Sequence, residues 1–163
     1  MSDLPEVPTA TAELAKQQRS AQLLTFFLDN QEYGVDILRV QEIRGWSAPM
    51  PIPGAPSYIK GVINIRGDVV PIADLRERLS LPALEYGATT AVVVLRVRYK
   101  NRDRIMGVVV DAMSDVTTVP GEALKPPPTF HDSGESLTKE IATLEDKMIT
   151  ILDVDCVFGE PAA

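Results

Sequence analysis

Tyr58 to Leu79 reads YIKGVINIRGDVVPIADLRERL, and the fold turns on how this stretch is read. Ile59, Gly61, Ile63 and Ile65 share one parity while Val62 and Asn64 take the other, a pattern that predicts a strand buried on much of both faces. Arg66-Gly67-Asp68 follows as a turn in which Gly67 can take a positive φ, and Val69-Val70-Pro71-Ile72-Ala73 then returns antiparallel. Pro71 has no N–H to give to a ladder, so its strand is expected to be an edge or to bulge there, leaving backbone open. Asp74 stands where a helix N-cap belongs. It precedes a short helix over Leu75 to Leu79 whose Arg76, Glu77 and Arg78 suit a solvated face.

On the N-terminal side of this hairpin, residues 1–20 are polar, carry Pro5 and Pro8, and read as a mobile tail. Gln22 to Asp29 (QLLTFFLD) is expected to be a strand that turns through Asp29-Asn30-Gln31-Glu32 into Tyr33-Gly34-Val35-Asp36. Ile37 to Ile43 fits a short helix with Val40 and Ile43 on its buried side and Glu42 off it. Pro49, Pro51, Pro53 and Pro56 then forbid a helix and favour an extended crossing segment.

On the C-terminal side, Leu81 to Ala88 reads as a connector, Ala91 to Tyr99 (AVVVLRVRY) as a long strand, and Ile105 to Val110 and Val116 to Val119 as further strands. Arg96, Arg98, Lys100, Arg102 and Arg104 share parity. If the hairpin stays extended through its tip, five cations line one face, either as a solvated surface or as a strip for an acidic partner. Pro126 to Gly134 reads as a polar loop, Leu137 to Leu144 and Met148 to Leu152 as a last hairpin, Asp153 to Phe158 as a short helical piece, and 160–163 as a C-terminal tail.

The chain repeats itself. GVINIRGDVVPIADL (Gly61 to Leu75) aligns without gaps on EIATLEDKMITILDV (Glu140 to Val154) at an offset of 79, and Val35-Asp36 matches Val110-Asp111 at an offset of 75. Strand hairpin, Val-Asp, irregular piece, second hairpin and helix-cap Asp thus occur twice, which predicts two similar barrels of about five short strands in tandem. The two barrels are expected to interleave, the first mainly in 30–85 and the second mainly in 90–155, within a domain of 21–159.

The hairpin also resembles the signature of the CheW family, the adaptor that couples chemoreceptors to the kinase CheA in bacterial chemotaxis. The resemblance rests on GxxNxRG followed by VPIxDL, on EYGVDILRVQEIRG (Glu32 to Gly45) and on GVVVDAMSDV (Gly107 to Val116), and spans about Gln22 to Phe158. It implies an all-β protein with short helices, in which two tandem SH3-like five-stranded β-barrels share a hydrophobic interface. It implies two partners, the regulatory domain of the histidine kinase CheA and the cytoplasmic tip of chemoreceptors, and a cytoplasmic location at receptor arrays. Carried over by position, Arg66, Ile65, Glu42 and Val40 are candidates for receptor binding and Gly61 for kinase binding. From the residues alone, Arg66 is either an ordinary solvated turn arginine or a pre-positioned donor.

Composition narrows the alternatives. The chain has 163 residues, 45% of them apolar, enough for one domain or two small subdomains with a common core. A net charge of −7 argues against nucleic acid, which needs a basic surface. One cysteine excludes an intramolecular disulfide, and the absence of a signal peptide or a long apolar run points to the cytosol without membrane insertion. There is no GxxxxGK[ST] or GxGxxG. His131 is the only histidine, and Cys156 sits among Val154, Val157 and Phe158, so neither a metal, a cofactor nor a catalytic group is expected. One rival reading is an adaptor of a related motility or surface-sensing array; the other is a barrel that binds a small ligand. It would need a polar-lined cavity, whereas the alternating Val and Ile residues predict filled barrels.

Overall fold

Strands account for nearly every ordered element of the chain, and they are joined by very short turns. The computed structural model describes residues 20–128 and 137–158. Its strands are β1 (Ala21–Leu28), β2 (Gln31–Asp36), β3 (Val40–Gly45), β4 (Ile59–Ile65), β5 (Asp68–Asp74), β6 (Ala91–Tyr99), β7 (Arg102–Val110), β8 (Ala112–Val119), β9 (Leu124–Lys125), β10 (Thr138–Thr143) and β11 (Met148–Leu152). Two short helices follow matching hairpins, α1 (Leu75–Arg78) after β5 and α2 (Val154–Phe158) after β11. Both caps are those expected: the Asp74 carboxylate accepts from Arg76 N, and the Asp153 carboxylate from Asp155 N and Cys156 N. The expected tails, His131 and most of the loop before Leu137 lie outside the described residues.

The strands form two sheets. One runs β8-β1-β2-β11-β10-β9 and the other β3-β6-β7-β5-β4. The hairpins are antiparallel, but each sheet contains one parallel junction, β5 on β7 with Ile72 opposite Gly107, and β11 on β2 with Ile151 opposite Gly34. Both junctions place an isoleucine against a glycine. A Cβ on Gly107 would sit 2.5 Å from Ile72 Cδ1, so any larger residue there must displace the end of that side chain.

The two repeats are therefore reciprocally exchanged. The β6–β7 hairpin, expected in the second barrel, is the centre of the sheet built from β3, β4 and β5; the β1–β2 hairpin is correspondingly paired with β8 and β11. The exchange takes place at the two Val-Asp steps. β2 ends at Asp36, and a single 3-10 turn, Ile37–Arg39, carries the chain across to β3 in the other sheet. β7 ends at Val110, and Asp111 alone separates it from β8, again in the other sheet. Each step passes the chain directly from one sheet into the other.

Exchange produces three apolar cores. Leu23, Val119, Ala142, Ile149 and Ile151 fill the interior of the first sheet, and Val70, Ile72, Val92, Val94 and Val109 that of the second. The largest core lies between the sheets, where Leu24, Phe26, Leu28 and Val35 meet Val93, Leu95, Val97, Val108 and Val110, with Val157 and Phe158 closing one side. β6 thus alternates Val92 and Val94 into its own barrel with Val93 and Leu95 into the shared core, which explains why AVVVL is apolar without interruption. The segment expected as a helix over Ile37 to Ile43 stops at Arg39. Pairing of β3 with β6 takes over from Val40, and Ile43 is exposed.

Candidate functional site

The β4–β5 hairpin pairs Ile65 with Asp68, so Arg66 and Gly67 form a two-residue turn. Their φ angles are 51° and 91°, the left-handed pair that matches the twist of hairpin strands. Gly67 N donates to Asn64 Oδ1 at 2.9 Å and fixes the turn from below. The Arg66 side chain is 79% exposed. It is not free, because its Nη1 lies 2.8 Å from Glu42 Oε1, while Arg44 Nη1 reaches Glu42 Oε2 at 3.3 Å.

This ion pair sits at a particular place in the topology. β3, which carries Glu42, and β4, which leads to Arg66, are the two edges of their sheet. Their joining means that the sheet curls until its edges meet, and the Arg66–Glu42 bond spans the seam. Further along, Met50 bridges to Val62 through two backbone bonds of 2.9 Å, so the proline-rich crossing segment closes the same gap. Gly61 is what permits that closure. Its φ is 146°, and a Cβ there would lie 2.3 Å from Met50 O.

The five predicted residues thus fall into different places. Arg66 and Glu42 are brought into contact at the surface. Ile65 is buried in the barrel interior, so it anchors the turn rather than reaching out of it. Val40 is half-buried against the shared core, one bulge away from Glu42. Gly61 is buried beneath Pro49 and Met50. The crossing segment is held at its start by Trp46, whose ring packs tilted against Tyr86 with centroids 4.1 Å apart. The Tyr86 hydroxyl donates to Asp74 Oδ2 at 2.7 Å, and burial together with that carboxylate pushes it above the ordinary phenol range.

The expected single face of five cations is not what forms. Lys100 and Asn101 make a two-residue turn, with Tyr99 opposite Arg102, Arg98 opposite Asp103 and Val97 opposite Arg104. A two-residue loop sets residues of opposite parity side by side, so Arg96 and Arg98 share one face while Arg102 and Arg104 join Tyr99 on the other. Arg104 lies 4.8 Å over the Tyr99 ring.

Two bidentate ion pairs at the exchange points were missed. Arg76, expected on a solvated face, keeps only 9% of its side chain exposed and grips Asp111 with Nε and Nη2 at 2.8 and 2.9 Å. It also donates to the Pro82 carbonyl. Arg39 grips Asp155 with Nη1 and Nη2, both at 2.8 Å. Burial would raise the Asp111 carboxyl, but the Arg76 guanidinium and Asp29 N–H outweigh it and hold it below the ordinary carboxylate range. Asp155 is held low in the same way, by Arg39 and the Arg98 N–H against burial. The repeat held part of the signal: Arg76 aligns with Asp155 at an offset of 79, so equivalent positions carry opposite charges, whereas Arg39 and Asp111, 72 apart, are equivalent at neither offset.

Among the described residues, no group of three or more His, Cys, Asp or Glu could hold a metal, and no helix is long and apolar enough to cross a membrane. What the geometry offers is surface: a seam closed by an exposed ion pair, and strand edges beside it. The class it defines is the β-barrel interaction module. The CheW-like domain family matches residues 22–162. A chemotaxis protein CheW of Rhizobium meliloti is 38% identical over 138 residues, 84% of this chain and 86% of that protein. Another, from Klebsiella aerogenes, is 38% identical over 148 residues, covering 88% and 85% of the two chains. The crystal structure of the scaffolding protein TtCheW from Thermoanaerobacter tengcongensis superposes with a TM-score of 0.75 at 27% identity, over 85% of this chain and 92% of that one. The chain belongs to the CheW family, the non-catalytic adaptors of chemotaxis.

Proposed function

We propose that this protein couples the cytoplasmic tip of chemoreceptors to the regulatory domain of the histidine kinase CheA, in the cytoplasm at membrane-associated receptor arrays. The observation that carries the reading is the Arg66–Glu42 pair: the positions implied for receptor contact are joined across the barrel seam, with Arg66 79% exposed. One Nη1 bond to Glu42 leaves other guanidinium donors for a carboxylate or carbonyl on a receptor helix, and the two-residue turn lowers the ordering cost of using them. Val40 and Ile65 support the surface from beneath. Gly61 acts on kinase binding by seating the Pro49–Met50 segment.

The test is a paired titration against a receptor-tip fragment and the CheA regulatory domain. Arg66→Gly suits it, because glycine tolerates the turn's positive φ and only the side chain is lost. Receptor affinity should fall at least tenfold while kinase affinity stays within twofold. An equal loss for both ligands, or none for the receptor, would remove Arg66 from the receptor site.

A further inference from the structure

β5 and β7 touch for only part of their length. Their parallel pairing runs from Ile72 opposite Gly107 to Asp74 opposite Val109. Before it, Asp68 to Pro71 on one side and Arg102 to Met106 on the other diverge around a groove of about 630 Å³. The split begins at Pro71, which has no N–H to extend the pairing. The floor and walls are apolar, from Val69, Val97, Tyr99, Met106 and Phe158, and Val69 is 70% exposed. Along this side, Arg102 to Met106 has no strand paired to it among the described residues, while its other side is fully used by β6.

Charge marks the same place. Residues 96–104 hold Arg96, Arg98, Lys100, Arg102 and Arg104 against Asp103 alone, a net of +4 in a chain whose total is −7. Arg102 and Arg104 border the groove with Tyr99, and neither pairs with a carboxylate among the described residues. Asp68 is the groove's other acid, and Asp103 is opposite Arg98 in the hairpin register.

We propose that this groove docks an extended acidic segment of a partner protein, which adds as a strand to the open edge of β7, sets alternate apolar side chains beside Val70 and Ile105 on one face, and presents the intervening carboxylates to Arg102 and Arg104 on the other. An open strand edge supplies main-chain hydrogen bonds, the groove supplies side-chain sites, and the local positive charge selects the sign of the ligand. A membrane surface would use the charge but not the edge, and an acidic chain is repelled from anionic lipid. This surface goes beyond the receptor and kinase contacts proposed above and does not use the Arg66 side chain.

The intact protein is titrated, by fluorescence anisotropy, with a labelled octapeptide of alternating Glu and Val. A Lys-Val octapeptide and a Glu-Val peptide with a central proline serve as comparisons. The Glu-Val peptide should bind at least tenfold more tightly than either, the advantage should shrink with salt, and amide exchange should slow over 102–106. Arg102→Glu with Arg104→Glu should remove the preference; if that variant does not fold, Arg102→Gln with Arg104→Gln should weaken binding at least fivefold. Equal binding of all peptides, an unaffected double variant, or protection elsewhere would overturn the assignment. Capture by phosphatidylserine vesicles without peptide binding would overturn it in favour of a lipid surface. Sedimentation as a dimer that excludes the peptide would overturn it in favour of a second copy sealing the edge.

Discussion

Arg76→Ala tests whether the exchanged repeats are clamped by buried charge. The substitution removes two charge-assisted bonds to Asp111, of 2.8 and 2.9 Å, and a third to the Pro82 carbonyl, and leaves Asp111 facing the space. Removing one partner of a buried pair costs ~3–5 kcal/mol, because the remaining charge is stranded. Asp111 keeps 19% side-chain exposure and the Asp29 N–H, which places the expectation near the lower end, about 3 kcal/mol. Domains of this kind are stable by ~5–15 kcal/mol, so the variant should remain folded but melt early. The matched variant is Arg39→Ala. Its pair with Asp155 has the same bidentate geometry but is 32% exposed on both sides, so the cost should be near that of a surface pair, ~0.5–1 kcal/mol. Urea unfolding followed by circular dichroism measures both, and Arg76→Ala combined with Asp111→Ala should recover part of the loss through a double-mutant cycle. If Arg76→Ala costs under about 1 kcal/mol, or no more than Arg39→Ala, burial of the first pair is not what holds the crossover.

Three further outcomes are expected. Gly61→Ala should detach Met50 from Val62, losing two bonds at ~1 kcal/mol each and adding backbone strain of ~1–3 kcal/mol; unchanged amide-exchange protection at Val62 would refute this. Asp111 and Asp155 have folded pKa values below their unfolded value of 3.8, so the unfolded chain binds more protons between the two and stability should drop as pH falls below that value; a flat profile from pH 5 to 2 would contradict the ion-pair account. Gly107→Val should displace Ile72, since its first added carbon would sit 2.5 Å from Ile72 Cδ1, and should cost ~1–3 kcal/mol by overpacking, read from thermal melts; an unaltered melting temperature would show that β5 and β7 are not held that closely.

Much of the local structure was legible because it is decided by neighbours in the chain. Parity along Ile59 to Ile65, the Arg66-Gly67 turn and the caps at Asp74 and Asp153 each depend on residues within a few positions of one another, and each stands where the pattern put it. Ile37 to Ile43 was misread for the same reason in reverse. Its apolar spacing suits a helix, but β3 pairs with β6 some fifty residues away, and that distant ladder outweighs a weak local preference. Arg76 was misplaced because charge alone suggests solvent, whereas burial became tolerable only when Asp111 arrived from the other repeat.

The sequence by itself determined that the chain is a doubled set of hairpins with filled interiors, since strand parity and an internal repeat are properties of one dimension. It also carried the family, through short segments whose order and spacing are preserved. Which hairpin joins which sheet was decided only in three dimensions. The β1–β2 and β6–β7 hairpins carry compatible edges, and the exchanged pairing is visible only where the steps at Asp36 and Asp111 pass the chain from one sheet to the other and where Gly34 and Gly107 stand opposite Ile151 and Ile72. The same holds for the candidate site. Arg66 and Glu42 are separated by 24 positions, and nothing in their spacing announces a bond; they meet because the sheet curls until its edges close, a consequence of twist and of the apolar core inside it.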